Sequence, residues 1–348
     1  VLEYAVGSAT VATGWSGYFQ GVLAKAGLHL PRLLSESPWR YDPATGGFAS
    51  TGAVMHLPAI LVVAVVTAVL VKGIHESASF NAAMVGIKVA AVLFVIAVGA
   101  FFVERTNWHP FAPFGWTGIS FFGHPVAGLT DPKGAPVGML AGAAIIFFAY
   151  IGFDSVSTHT EEARNPQRDV PIGIITSLIV CTVLYVLMVA VLTGMVRFDR
   201  LDVNAPVSVA FQQKGLGWAE GLIAAAGVAG ITSVLLVMML SGPRVFLAMA
   251  RDGLLPRGVF GTVHPRFRTP WKSTILVGLF VMALAGTLPI DALLHLTNIG
   301  TLLAFVIVCT AVLVMRRTHP EAQRPFRCPC VPFVPVEGVV ACALLVFS

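Results

Sequence analysis

Long apolar runs with few or no charged residues are the feature that most constrains what this sequence can fold into. Nine such blocks lie along its 348 residues, the first at Val1–Ala24 and the last at Pro335–Ser348. A helix needs about 20 apolar residues to cross a hydrocarbon core of about 30 Å, and most of the blocks approach that length. Only 11% of the residues are charged, against roughly 25% in soluble domains. The sequence therefore predicts an all-α polytopic membrane protein.

The basic residues indicate how the blocks are oriented. More of the 22 Lys and Arg residues lie in one alternate set of loops, those after Val71, Phe153, Met249 and Met315, than in the other set, whose loops are longer. Cytoplasmic loops are enriched in Lys and Arg, so we place this set in the cytoplasm and expect a multi-pass protein of the cell (cytoplasmic) membrane. The formal net charge of +5 then reflects topology, and we expect no nucleic-acid partner.

The ends of the chain and its motifs complete this outline. The sequence starts on apolar residues without Met and stops after about half a block, so we expect a single transmembrane domain over residues 1–348, cut at both ends inside helices. Its 5 Cys residues form no complete metal motif. The sequence also has no H-E-x-x-H, G-x-S-x-G or phosphate-binding loop motif. We therefore expect no enzymatic activity, no metal and no cofactor.

One block contains a predicted interruption, where Gly152 and Asp154 follow aromatic residues in FFAYIGFD. These are poor helix formers, and unwound backbone in a bilayer is tolerated only where it lines a cavity or is buried in protein. Broken helices of this kind form the substrate sites of many transporters. The alternative is that Gly152 only packs against a neighbouring helix and that Asp154 lies near the cytoplasmic end.

Two further ionisable residues lie at membrane depth, where such residues are rare and usually functional. Lys88 is eight residues past Phe80, about 12 Å along a helix. Its side chain either reaches back to the cytoplasmic surface or faces the interior, where desolvation disfavours the charged amine. In the second case Lys88 is a proton carrier or a fixed positive charge. The depth of Glu3, at the start of the first block, is not determined by the sequence.

Two long motifs resemble those of a known family. The stretch FFAYIGFDSVSTHTEEARNPQRDVPIGI resembles the sixth-to-seventh helix signature of the amino acid–polyamine–organocation (APC) superfamily, in its bacterial-type cationic amino acid transporter branch. RVFLAMARDGLLP followed by HPRFRTPWKS is similar to the connection between the eighth and ninth helices of that family. The resemblance implies a five-plus-five inverted repeat with a discontinuous sixth helix. This chain would hold the third helix to half of the eleventh, without the first two.

The resemblance also implies a substrate site at the interruption. Phe148, Ala149 and Ile151 match the unwound stretch that lines the substrate and binds its ammonium through main-chain carbonyls, and the Phe148 ring matches a gate. Asp154 and Glu3 match acidic positions near that site.

Two other residues are expected to set the coupling and the choice of cargo. Lys88 matches the fifth-helix lysine that takes the place of a sodium ion in proton-coupled relatives. In the eighth helix, TSVLLVMML, we expect Met238 to fill the side-chain end of the pocket. A bulky, flexible thioether there favours a small neutral amino acid over arginine.

We therefore expect secondary active transport, as proton-coupled symport of a small neutral or cationic amino acid. The partners are the amino acid substrate, protons and membrane lipid. Two alternatives stay open: an exchanger (antiporter) of amino acids or polyamines, and an amino acid receptor or sensor that transports nothing. A channel is less favoured, because the sequence contains no ring of like charges that would line a pore.

Overall fold

The protein is dominated by α-helices. The computed structural model describes residues 2–25, 27–42, 47–73, 78–121, 124–130, 136–162, 165–201, 206–324 and 326–346. The helices are α1 (Leu2–Lys25), α2 (Arg32–Ser35), α3 (Leu57–Lys72), α4 (Ala78–Ala100), α5 (Met139–Ile146), α6 (Pro166–Met195), α7 (Pro206–Gln213), α8 (Gly217–Arg251), α9 (Arg257–Phe260), α10 (Trp271–Thr287), α11 (Ile290–Thr318) and α12 (Phe333–Val346). Helices of the tighter 3-10 type lie at Arg105–Trp108, Phe147–Tyr150, Phe153–Glu162 and Phe198–Arg200.

Short strands occur in the connections between helices. They are β1 (Trp39–Asp42), β2 (Gly47–Ser50), β3 (Ile119–Phe121), β4 (His124–Ala127), β5 (Leu129–Thr130) and β6 (Pro136–Val137), and they pair as β1–β2, β3–β4 and β5–β6. The sequence does not predict these hairpins, because each strand is shorter than the five or six residues typical of strands in globular proteins.

Every apolar block predicted from the sequence coincides with a helical segment. Among the described residues, four segments are long and apolar enough to cross a membrane: Met139–Ser157, Pro166–Met195, Gly217–Arg251 and Ile290–Thr318. Shorter apolar helices cover Leu57–Lys72, Val85–Ala100, Trp271–Thr287 and Phe333–Val346. The predicted all-α polytopic membrane fold is confirmed.

The chain forms two compact units. The first contains Val1–Arg40, Phe48–Phe111 and Ile179–Ile290. The second contains Tyr41–Gly47, Ala112–Leu178 and Asp291–Ser348. The organisation of residues 1–348 as a single transmembrane domain stays a prediction.

Helices α1 and α8 pack against each other in the centre of the first unit. Trp15 Nε1 on α1 donates to Thr232 Oγ1 on α8 over 2.8 Å, and the Tyr4 side chain lies against Gly242. Because residue numbers rise on one helix as they fall on the other, the two helices are antiparallel. Helix α1 buries small and apolar residues such as Val6 and Ala9, and each helix also buries a serine, Ser8 on α1 and Ser241 on α8.

Helices α3 and α10 pack closely in the same unit, and glycine makes this possible. A Cβ added at Gly278 of α10 would lie 2.7 Å from Thr67 Cγ2 of α3, well inside a normal contact distance. Protein interiors are close-packed, so a larger residue at this position would push the helices apart.

Buried polar contacts fix the ends of these helices. His56, only 6% exposed, precedes α3, and its Nε2 lies 2.8 Å from Ser16 Oγ of α1. The His56 backbone N–H donates to the carbonyl of Gly286 in α10 over 3.1 Å. Buried backbone groups need such partners, and this one residue links three helices at one end of the unit.

The last turn of α6 is capped by the segment that follows α4. Carbonyl groups in the last turn of a helix have no partner within the helix. Asn107 Nδ2 donates to the Gly194 carbonyl over 2.7 Å, and Trp108 Nε1 donates to the Ala190 carbonyl over 3.1 Å. The Glu104 backbone N–H also donates to the Gly194 carbonyl over 2.9 Å, so the segment after α4 is tied to the end of α6 by three hydrogen bonds.

Candidate functional site

The predicted helix interruption lies at Ile151 and Gly152. Helix α5 ends at Ile146 and continues as a 3-10 helix to Tyr150. Ile151 then has an extended backbone (φ −61°, ψ 132°), and Gly152 has φ +117°. L-residues rarely adopt such a positive φ, whereas glycine does so without steric cost. Glycine is therefore required where the chain turns out of the helical path.

Hydrogen bonds hold the far side of this break in place. The Gly152 carbonyl accepts from the backbone N–H of Ser155 (3.1 Å) and from its Oγ (2.6 Å). Asp154 Oδ1 accepts from the Gly152 N–H over 3.2 Å. The Asp154 carboxylate thus stabilises the turn locally, a contact that the sequence reading did not anticipate.

The near side of the break is less constrained. The Phe148 carbonyl accepts from the Ile151 N–H over 3.1 Å, as part of the 3-10 turn. A carbonyl oxygen has two lone pairs, so one bond of this kind leaves it capacity for a second donor. The side chains of Phe148 and Ile151 are half-buried, and Ala149 is exposed.

One aromatic ring of α11 contacts residues on both sides of the break. The Phe305 ring lies 6.1 Å from the ring of Phe147, before the break, in an edge-to-face arrangement. It also lies 5.4 Å from the ring of Phe153, after the break. Aromatic pairs at these separations attract each other. One α11 side chain therefore contacts both sides of the interruption.

The other predicted site residues lie in the first unit. Met238, on α8, is buried at 3% exposure. Glu3 lies in the first turn of α1, half-buried, with its Oε1 atom shielded from solvent.

Lys88 contacts α8 through a glycine. A Cβ added at Gly230 would lie 3.7 Å from both Cγ and Cε of Lys88, so the lysine stem lies over the α8 backbone where no side chain intervenes. The residue is half-buried. This packing favours the orientation towards neighbouring helices over the one in which Lys88 only reaches back to the surface.

Lys88, Met238 and Glu3 lie at different levels along the axis of α8, which can be read from the α8 residues that they or their neighbours contact. From Gly230, which Lys88 contacts, to Met238 is eight residues, or about 12 Å of helix. Tyr4, next to Glu3, contacts Gly242, which is about 6 Å further along. Lys88 and Glu3 are therefore separated by roughly 18 Å along the helix axis, with Met238 between them. The structure gathers Phe148, Ala149, Ile151 and Asp154 in one short stretch, whereas it spreads the first-unit residues over several helical turns.

Comparison with known proteins decides the family. The family model described as amino acid permease matches residues 1–348. The chain belongs to the amino acid permease family of the APC superfamily. The resemblance inferred from the sequence motifs is confirmed.

Three relatives show the breadth of this permease family. The chain is 41% identical over 348 residues to the methylthioribose transporter of Bacillus subtilis (strain 168), covering 100% of the chain and 69% of the relative. It is 40% identical over 349 residues to the branched-chain amino acid permease BcaP of the same organism, with the same coverage. It is 34% identical over 331 residues to the vacuolar cationic amino acid transporter 4 of Arabidopsis thaliana, covering 92% of the chain and 49% of the relative. These names differ in cargo, so membership in the family does not determine what this permease carries.

One polar residue of the permease was missed by the sequence reading. Asn298 lies within the apolar helix α11 and is only 5% exposed. Its Nδ2 donates to the carbonyls of Ala144 (3.0 Å) and Ile145 (3.1 Å), at the end of α5. A side-chain amide inside an apolar block was the available signal, since polar residues at membrane depth are costly and usually functional.

Metal ligation is not evident in the part of the permease that the structure describes. There, no three His, Cys, Asp or Glu side chains lie close enough together to hold a metal ion.

Proposed function

We propose that this permease is a secondary active transporter that carries a small neutral amino acid together with protons across the cytoplasmic membrane, without changing the cargo chemically. The observation that carries the proposal is the break at Ile151–Gly152 inside an apolar membrane segment. Unwound backbone at this depth needs partners other than the helix itself. An amino acid zwitterion offers both donors and acceptors, and it is the natural ligand for such a break in transporters.

In this proposal the ammonium of the cargo binds the carbonyls of Phe148, Ala149 and Ile151. The Phe148 carbonyl supports this role because it retains acceptor capacity beyond its bond from Ile151. The Gly152 carbonyl is already satisfied by Ser155, so it is excluded from ammonium binding. Asp154 contributes to the polar surroundings of the cargo and holds the turn through Gly152.

The preference for a small neutral cargo rests on Met238. Its side chain is buried on α8, and a methionine thioether offers no charge with which to pair an arginine or lysine side chain. The naming of one relative for branched-chain amino acids supports a neutral cargo. A cationic cargo would need a carboxylate to pair with its side chain, and Glu3 could supply one. The competition experiment below therefore includes arginine.

Proton coupling rests on Lys88. A lysine packed against α8 rather than extended into water is poised to lose and regain its proton as its surroundings change. Its positive charge, when present, holds the neighbouring helices in the arrangement that another transporter would achieve with a sodium ion. Binding of cargo and of the proton are then linked through the helices that Lys88 contacts.

The test is uptake by the protein expressed from its complete gene and reconstituted in liposomes. An inward proton gradient is imposed, and labelled alanine and valine are followed with unlabelled arginine as competitor. Gradient-dependent uptake that a protonophore abolishes and arginine does not inhibit supports the proposal. Strong inhibition by arginine would move the cargo to the cationic class. Uptake that occurs only when the liposomes are preloaded with amino acid would indicate an exchanger. Saturable binding without transport would indicate a sensor.

Replacing Met238 with Ser should widen the range of accepted cargo. The shorter side chain opens space at the side-chain end of the pocket, and a single extra methylene in such a pocket is worth about 1–3 kcal/mol. We therefore expect uptake of leucine or phenylalanine to rise about ten-fold relative to alanine, measured as a ratio of uptake rates.

The neighbouring Met239 provides the matched control. It is also buried on α8, at 1% exposure, but it lies 100° away around the helix. Met239→Ser should lower the amount of folded protein to a similar degree and leave the cargo ratio unchanged. Equal ratios in both variants and the wild type would remove Met238 from the pocket.

A further inference from the structure

The end of α5 is held by a side chain from a distant part of the sequence. Helix α5 changes to a 3-10 helix at Phe147, and the carbonyls of the last α-helical turn then lose their regular i+4 donors. In water such carbonyls would be solvated, but in a bilayer they need a partner from the protein. Asn298 Nδ2 donates to two of them, Ala144 and Ile145; the Ile145 carbonyl also accepts from the backbone N–H of Phe147.

The location of Asn298 makes this contact specific. The residue lies eight positions into α11, about 12 Å from the start of the helix, and it is nearly fully buried. Its other amide atom, Oδ1, is also buried and accepts no hydrogen bond from the residues that the structure describes. If Asn298 only packed against neighbouring helices, an apolar side chain of the same shape would serve equally well, because it has no polar group that needs a partner. A hydrogen-bonding role at the break explains why an amide is present.

One face of α11 contacts the chain both before and after the break. Asn298 and Phe305 are seven residues apart and so lie on the same side of the helix. Asn298 holds the backbone before the break, and Phe305 contacts the rings of Phe147 and Phe153 on either side of it. Thr301 and Leu302, between them, are fully buried.

We infer that Asn298 is a positioning residue for cargo binding, which holds the end of α5 so that the carbonyls from Phe148 to Ile151 keep their binding geometry. The inference rests on the proposed function, because it assigns the cargo to this break. Asn298 itself touches the α5 backbone and acts on the cargo through it. The free Oδ1 leaves the amide able to take a further donor when the site is occupied.

Asn298→Leu tests the inference in the full-length protein in lipid nanodiscs and liposomes. Leucine has a similar shape and no donors, so the carbonyls of Ala144 and Ile145 lose the hydrogen bonds that Asn298 donates. We expect amide hydrogen exchange over residues 147–155 to rise about ten-fold, the change expected for loss of a typical hydrogen bond, while exchange in α10 stays unchanged. We also expect the KM for uptake to rise about ten-fold at an unchanged maximal rate per molecule.

Thr310→Val is the matched control, because Thr310 is an exposed residue of the same helix whose Oγ1 donates only within α11, to Val306. It should alter neither the exchange nor the KM. If Asn298→Leu fails to reach the membrane, Asn298→Ser, which keeps one donor, should give intermediate changes in both quantities.

Exchange and KM within two-fold of the wild type in the Asn298 variants would overturn the inference while leaving the proposed function intact. If the wild-type protein transports no amino acid, the proposed function fails. The exchange measurement then still decides whether Asn298 holds the break.

Discussion

Lys88→Met should abolish the accumulation of amino acid against its gradient. A gradient of about two pH units provides about 2.7 kcal/mol per proton, which supports roughly 100-fold accumulation for one proton per cargo molecule. Methionine matches the length of the lysine stem that packs over Gly230 and carries no titratable group. The ratio of internal to external labelled alanine should therefore fall to about one in the variant, whereas exchange of internal for external alanine should continue.

Two further variants distinguish the possible roles of Lys88 and provide a control. Lys88→Arg keeps the positive charge but cannot release its proton, so restored accumulation would identify Lys88 as a fixed charge, and lost accumulation would identify it as the proton carrier. Lys214→Met is the control, because Lys214 pairs with Glu104 over 2.6 Å at a partly exposed position and is not among the predicted site residues. Normal accumulation by the Lys88→Met protein would remove Lys88 from the coupling mechanism altogether.

The parts of the fold that depend on composition and local propensity could be predicted from the sequence. Helices appear at every apolar block, because burial in lipid permits few other structures. The break appears at Gly152, because glycine alone tolerates the backbone conformation found there. The short hairpins in the connections escaped prediction, since strands of two to four residues leave almost no pattern.

The parts that depend on tertiary packing could not be predicted. Lys88 had two possible orientations in the sequence, and the choice rests on Gly230, a residue more than a hundred positions away. The height of Glu3 relative to Met238 depends on the register between α1 and α8, which neither helix specifies alone. Asn298 was overlooked for the same reason, because its partners on α5 lie over 150 positions earlier in the chain.

Asp154 was predicted to belong to the polar surroundings of the site, and that role stays a prediction; the structure adds a local contact that the sequence did not indicate. Its carboxylate accepts from the Gly152 N–H, a bond between residues two positions apart that stabilises turns generally. A carboxylate engaged in this way contributes to the shape of the break in addition to any effect on the cargo.

Gly152→Ala should reduce transport at least ten-fold, although the added methyl group meets nothing. No atom lies within 4 Å of the position that a Cβ would occupy, so crowding is not the cause. The cause is the backbone, because φ +117° costs an L-residue about 1–3 kcal/mol. The chain would relieve this strain by rotating residue 152 towards helical angles, which would reorient the break and the carbonyls of Phe148 and Ile151 that we propose bind the cargo. Initial rates of alanine uptake per reconstituted molecule measure the loss.

Gly142→Ala separates the effect of the break from the effect of losing a glycine. Gly142 lies in the regular part of α5, and a Cβ there also meets no atom within 4 Å. Alanine in a helix interior is more favourable than glycine by about 0.5–1 kcal/mol, so this variant should fold at least as well as the wild type and transport normally. Loss of transport in Gly152→Ala alone ties function to the backbone turn rather than to the flexibility of the helix. Full activity in both variants would mean that the cargo does not depend on the conformation of the break, and the site proposed at Phe148, Ala149 and Ile151 would have to be abandoned.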